Sequence, residues 1–182
     1  MKVTKTWLPG ILIIEPQVFA DQRGYFFESY NLDKFNTHGI TMQFIQDNQS
    51  KSEFGVIRGL HYQLHPFAQV KLVRVIEGKI YDIAVDIRKK SSTFSKWFGI
   101  ELSAENNKQL LIPEGFAHGF SVLSESAVVL YKCNSFYKPE AERGIRYDDP
   151  QLAIDWQLNK EDIKVSERDA ALPLFRNAEM NF

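Results

Sequence analysis

One cysteine, Cys133, is all the thiol chemistry that the 182-residue sequence holds. It excludes an internal disulfide and a thiolate metal cluster, suits a reducing compartment, and reads most simply as a buried, inert side chain. Long apolar runs are missing too. Ile11 to Ile14 is the strongest run near the N-terminus, and Glu15 and Pro16 end it, too early for the core of a secretion signal or for a membrane span. The sequence therefore reads as a soluble, cytoplasmic protein without a membrane partner. An excess of either charge is absent: 22 Lys and Arg stand against 23 Asp and Glu, a net charge of -1, so no nucleic-acid partner is expected. Any anionic ligand must be caught by a local cluster. Repeats, low-complexity linkers and sustained helical periodicity are also lacking, and the length fits one domain over 1–182.

What is present points to strands. Aromatic residues make up 13% of the chain and β-branched residues are frequent. Short β-prone runs such as "GILIIEP", "GYFFESY", "FIQDNQS", "WFGIEL", "KQLLIP", "HGFSVL" and "AVVLYKC" are separated by Gly, Pro, Asn and Ser turns. The strongest hairpin signal is "VKLVRVIEGKIYDIAVDI", two β-rich runs flanking Glu77-Gly78-Lys79. In its second run Tyr81, Ile83, Val85 and Ile87 share one face while Asp82, Ala84 and Asp86 share the other. A short helix is expected at "NLDKFNTHG", with Asn31 as N-cap and Gly39 just past its end. The class is all-β, a sandwich or barrel with a few short helices.

The stretch "RGLHYQLHPFAQVKLVRV", residues 58 to 75, holds more polar chemistry than a β core needs. It supplies a permanent cation in Arg58, an imidazole in His61 of a type that titrates near neutrality, and Lys71 on a strand. "LIPEGFAHGF" adds His118, and "VVLYKCNSFY" adds Tyr131 at the end of an apolar run. Each residue alone is explained by core packing, but the combination is not. Around Gly24, Arg23 and Glu28 are equally consistent with solvated positions, and Gln46, Asp47 and Asn48 with an Asx turn. His61 and His65 would lie about 13 Å apart on a strand at ~3.3 Å per residue, too far to share one ion, so no metal is expected.

In order along the chain, "DQRGYFFESY", "FIQDNQSKSEFGVIRGLHYQ", "QVKLVRVIEGKIYDIAVDIR", "IPEGFAHGFSVL", "LYKCNSFYKPEAERGIRYDDP" and "SERDAALP" resemble the dTDP-4-dehydrorhamnose 3,5-epimerase family. The resemblance runs from about residue 10 to about residue 173. It implies a cupin-type jelly-roll β-barrel, a homodimer, no cofactor and no metal. It implies a dTDP-4-keto-6-deoxyhexose substrate, with His61 as base, Asp169 as its partner, Lys71 against the C4 oxygen and Tyr131 as proton donor. Arg23, Glu28, Gln46, Asn48, Arg58, His118, Tyr137 and Glu142 carry over as substrate-binding positions, with Phe26 a candidate wall for thymine by its type. Arg168 stands where the family more usually has lysine, and its cation still suits a phosphate. Similar cupin proteins are 3-epimerases or 3,4-ketoisomerases, and a non-catalytic sugar binder is the alternative outside enzymes. On this reading one strand segment, residues 58 to 75, lines the site.

Overall fold

The structure is a computed structural model and describes all 182 residues. Two antiparallel sheets face each other. The six-stranded sheet runs β1 (Lys2–Lys5), β2 (Leu12–Glu15), β10 (Gln109–Ile112), β7 (Lys71–Glu77), β12 (Ser126–Cys133) and β5 (Gln46–Glu53). Its five-stranded partner runs β13 (Glu142–Gly144), β6 (Ile57–Gln63), β11 (Phe116–Val122), β8 (Lys79–Asp86) and β9 (Trp97–Ser103). A hairpin of β3 (Phe19–Asp21) and β4 (Gly24–Phe26) pairs only with itself. Two helices are short: α1 (Leu32–Thr37) and α2 (Glu167–Ala170). The all-β, cupin-like jelly-roll expectation therefore holds.

Three apolar clusters follow from strand alternation. Between the sheets, Val73, Val75, Leu110 and Val129 of one meet Ile80, Leu102, Phe120 and Val122 of the other. The outer face of the five-stranded sheet is covered by the C-terminal segment, through Ile145, Leu152, Trp156, Phe175 and Met180. This cover is pinned by polar contacts. Trp97 Nε1 donates to the Leu152 carbonyl at 3.0 Å, and Phe175 N donates to Asp149 Oδ2 at 2.7 Å. On the outer face of the six-stranded sheet, Phe35 and Ile40 pack on Ile14, Leu72 and Leu111. Each such side chain contributes roughly 1.5–3 kcal/mol by leaving water. Asn31 caps α1 as expected, its side chain accepting from Lys34 N at 3.1 Å.

The strongest hairpin signal of the sequence is not a hairpin. β7 and β8 belong to different sheets, and Gly78 is the corner at which the chain crosses between them. Its φ is +75°, and a Cβ there would lie 2.0 Å from the Ser126 carbonyl oxygen. The turn therefore has no room for a side chain and no freedom to fold β8 back along β7. β6 and β7 are likewise in opposite sheets, so residues 58 to 75 supply two facing strands and not one. Along β8 both alternating faces are buried, because the sheet has a cover on each side; Asp82 and Asp86 are fully enclosed.

Gly78→Ala is expected to cost at least ~2 kcal/mol, through positive-φ strain and the clash with Ser126. Urea unfolding reads this as a lowered midpoint at unchanged slope. An unchanged midpoint would show that the corner yields.

Candidate active site

A local irregularity in β6 brings its chemistry inward. Phe120 of β11 pairs with Arg58 and His118 pairs with His61, so Gly59 and Leu60 together oppose Gly119 alone. Residues three apart on a regular strand point to opposite faces, but this bulge adds one residue and turns both Arg58 and His61 toward the interior. Gly59 makes the bulge possible. Its φ is +119°, and a Cβ would stand 2.5 Å from Gly119 Cα and 2.7 Å from the His118 carbonyl oxygen.

His61 Nε2 lies 2.9 Å from Asp169 Oδ1. The other carboxylate oxygen of Asp169 accepts from Gly59 N at 3.2 Å, and Asp169 N donates to the capping Ser166 Oγ at 3.1 Å. Burial works to raise the Asp169 pKa, but the His61 contact and the Gly59 N–H outweigh it and hold the carboxyl below its usual value. The tautomer follows from the partner: Nε2 carries the hydrogen that the carboxylate accepts, leaving Nδ1 to take a proton.

Lys71 opens β7 on the facing sheet, its Nζ 5.8 Å from the centroid of the Tyr131 ring. Burial lowers its ammonium from the usual lysine value, against the opposing fields of Cys133, Asp82 and Glu142. Tyr131 is raised, by burial first and then by Cys133, while Arg58 opposes. It therefore keeps its phenolic proton. His118, next to His61 across the ladder, is bonded through Nε2 to Asp82 Oδ1 at 2.8 Å. Burial depresses its pKa in spite of the carboxylate, so the ring is neutral with its hydrogen on Nε2.

Together these residues enclose a cavity of about 250 Å³, lined by Arg58, His61, Lys71, His118, Tyr131, Arg168 and Asp169 with several neighbours. At the rim, Arg58 Nε donates to Ser52 Oγ at 2.8 Å, leaving its charge without a carboxylate partner. Glu142 joins the phenol of Tyr137 to the guanidinium of Arg168. Hydrogen bonds to those groups hold its pKa down although burial works to raise it, and the same contact, more than burial, raises that of Tyr137. Gln46 Nε2 donates to Asn48 Oδ1 at 3.0 Å, and Gln46 Oε1 accepts from Tyr137 N at 2.9 Å.

Three expected substrate contacts do not join this cavity. Arg23, Phe26 and Glu28 lie on or just after the β3–β4 hairpin, which leaves the barrel and pairs with nothing else. Arg23 is tied to Asp21, Phe26 is 66% exposed, and Glu28 accepts from Asn31 and Lys34 at the start of α1. Of the remaining candidates, Arg58, His61, Lys71, His118, Tyr131, Arg168 and Asp169 line the cavity. Glu142 and Tyr137 adjoin it through Arg168, and Gln46 and Asn48 are not among the lining residues but connect to it through Tyr137. His65 is outside the set, in the turn after β6, its ring tilted against that of Phe182.

The family model described as dTDP-4-dehydrorhamnose 3,5-epimerase matches residues 5–177. A protein of that name from Shigella flexneri is 57% identical over 159 residues, 87% of this chain and 88% of its own length. One from Methanothermobacter thermautotrophicus is 51% identical over 166 residues, 91% and 89% of the two chains. The crystal structure of the enzyme from Elizabethkingia anophelis superposes with a TM-score of 0.93 at 51% identity, covering 97% of each chain. One from Legionella pneumophila, in complex with dTDP-4-keto-L-rhamnose, gives a TM-score of 0.93 at 48% identity, covering 97% of this chain and 93% of its own.

Asp82 is the residue that sequence reasoning passed over. Its alternation with Ala84 matches an amphipathic strand with a wet face, and only the C-terminal cover and the facing sheet together make both faces dry. The buried neutral imidazole beside it has a consequence for stability. Unfolded His118 takes up a proton near pH ~6.5 while the folded ring does not, so stability falls as pH drops below that value, by up to ~1.4 kcal/mol per pH unit. Asp169, whose folded pKa is depressed, loses its contribution only at lower pH, as its carboxyl is protonated. Urea unfolding between pH 5 and 7 is expected to show this slope in the wild type and a shallower one in His118→Gln. Equal slopes would contradict the neutral ring.

Proposed function

The chain belongs to the dTDP-4-dehydrorhamnose 3,5-epimerase family, and from that premise we propose how its own side chains divide the work. It is an isomerase that converts dTDP-4-dehydro-6-deoxy-D-glucose into dTDP-4-dehydro-L-rhamnose. The observation that supports the division of roles is the opposition of His61 on β6 and Tyr131 on β12, in facing sheets across one cavity. Inversion at carbon needs a base on one face and an acid on the other.

His61 Nδ1 removes the proton from a carbon next to the C4 ketone. The C–H electron pair moves into the new C–C double bond, and the carbonyl pair moves onto O4. The ammonium of Lys71 stabilises that oxyanion, a charge fixed in advance where charge develops. Asp169 holds the ring in the productive tautomer and balances the imidazolium. Tyr131 then delivers its proton to the opposite face, and exchange with solvent resets both groups. The cycle repeats at the second carbon. Arg58 and Arg168, at the mouth, suit the diphosphate, and the half-exposed ring of Tyr137 offers thymine a stacking face. His118 Nδ1, unprotonated, accepts from a sugar hydroxyl.

The protein is a homodimer of the cytoplasm on the same reading. Phe19, Tyr25 and Phe26 on the hairpin are each more than half exposed. Arg23, Phe26 and Glu28 reach a substrate pocket only if the hairpin extends to a second copy. No helix is long and apolar enough to cross a membrane, and a lone buried cysteine suits a reducing compartment.

Proton NMR of the 4-keto substrate in D2O tests the roles. The wild type is expected to place deuterium at C3 and C5 and to form the L-sugar. His61→Asn should lose exchange at both carbons by about 10²–10⁴-fold. Tyr131→Phe should retain exchange without inversion. Full turnover in either variant overturns its assignment. Light scattering should give twice the chain mass, and Phe26→Ser with Tyr25→Ser should shift it toward one chain; a monomeric wild type would remove the dimer.

A further inference from the structure

We propose that Asp82 is a positioning residue of this reaction, the buried counter-charge of Lys71 and at the same time the anchor of His118. The inference rests on the role given to Lys71 above and extends it to a carboxylate on the opposite sheet.

Lys71 lines the barrel cavity with no carboxylate within ion-pair distance. The groups facing it are Tyr131 and Cys133 on β12, His118 on β11, Asp82 on β8, Glu142 on β13 and His61 on β6, with Arg58, Arg168 and Asp169 along the same cavity wall. Of these last three only Asp169 is an acid, and both its oxygens are taken, by His61 and by the Gly59 N–H. Most of them carry no free negative charge. Tyr131 and Cys133 are both pushed up by burial and stay protonated. His118 is neutral, and His61 gives its hydrogen to Asp169. Glu142 is already shared between Tyr137 and the guanidinium of Arg168. Asp82 is left. It is fully buried, one oxygen accepts from a neutral imidazole, and the other, Oδ2, has no hydrogen-bond partner. A carboxylate enclosed in that way is costly unless an opposite charge stands near it, and an enclosed ammonium is costly for the same reason. Each makes the other tolerable.

The consequence for catalysis is electrostatic. Lys71 stabilises an oxyanion at O4 only while it is an ammonium, and burial works against that state. The charge of Asp82 favours it. By accepting the Nε2 hydrogen, Asp82 also fixes the His118 tautomer in which Nδ1 is the acceptor. The arrangement repeats that of Asp169 and His61 one strand away, with a different output: the first pair yields a base, the second a charge balance and a hydroxyl acceptor.

Asp82→Asn keeps the shape and a carbonyl oxygen for His118 but removes the charge. Lys71 then loses its proton at lower pH, and the alkaline limb of the kcat/KM profile moves down. A shift of one unit gives about a tenfold loss on that limb and little at low pH. Thermal unfolding and dTDP binding establish that the variant is folded. A loss uniform in pH, or an unmoved limb, overturns the proposal. A second measurement does not depend on the variant folding: NMR titration of 13C-labelled lysine in the wild type, with Lys71 assigned through Lys71→Arg. An ammonium at neutral pH is expected, and a neutral amine there overturns the proposal. Wild-type solvent exchange at C3 and C5 tests the underlying reading by itself. If it occurs while Asp82→Asn leaves the limb in place, only the role of Asp82 fails.

Discussion

The hydrogen bond between His61 and Asp169 is the constraint that the site depends on. It closes a loop of 108 residues, and its geometry requires the whole C-terminal segment to have docked. Ile145, Leu152, Trp156 and Phe175 bury against the outside of the five-stranded sheet, and α2 is set down at the cavity edge as a result. Asp169 then bonds both to the imidazole and, through its second oxygen, to the backbone of the bulge that turns that imidazole inward. The orientation of the His61 ring and the strand irregularity are thus one structural fact. Stabilisation by apolar area far from the chemistry is converted into the placement of one carboxylate.

The interior shows how a barrel can hold ionisable groups at one end. Val73 and Val75 follow Lys71 along the inward face of β7, and Val129 and Ala127 precede Tyr131 along that of β12. The apolar end supplies the cohesion, and the polar end is kept from collapse by pairing. His61 has Asp169, His118 has Asp82, and Arg168 has Glu142. Arg58 is held through Ser52 and the Lys51 carbonyl, neutral groups that orient the guanidinium without consuming its charge. A site that must receive a dianionic diphosphate needs such unspent cations at its mouth, and the neutral total of the chain does not forbid them.

Much of this was legible in the sequence. The density of polar groups over residues 58 to 75 marked the site, the strand-length runs marked the class, and Asn31 and Gly39 marked α1. Sheet membership was not legible. The alternation in β7 and β8 is the same whether the strands pair with each other or cross between sheets, and only the lack of space around Gly78 decides it. The β3–β4 hairpin illustrates a different limit: "DQRGYFFES" has the residue types of a binding segment, but nothing in those types says that the hairpin leaves the barrel and pairs only with itself. Asp82 escaped because burial on both faces of a strand is a property of the two layers around it, absent from the strand's own pattern.

The ion pair at the mouth shows why arginine at position 168 is compatible with the site. Arg168 is 66% exposed at its side chain while Glu142 is only 14% exposed. Such a half-wet pair contributes little to stability by itself, so its guanidinium is not locked in place. Glu142 is also bound to Tyr137, whose backbone is held by Gln46, and these contacts hold the carboxylate independently of the more exposed cation. A guanidinium has five N–H donors in a planar fork, enough to remain against Glu142 and still meet a phosphate oxygen. A lysine would bring only a point charge to both. Arginine here therefore keeps the link between the Tyr137 face, where a base would stack, and α2, which carries Asp169 to His61. Two consecutive residues of one helical turn, Arg168 and Asp169, thus tie α2 to the Glu142–Tyr137 pair on one side and to His61 on the other.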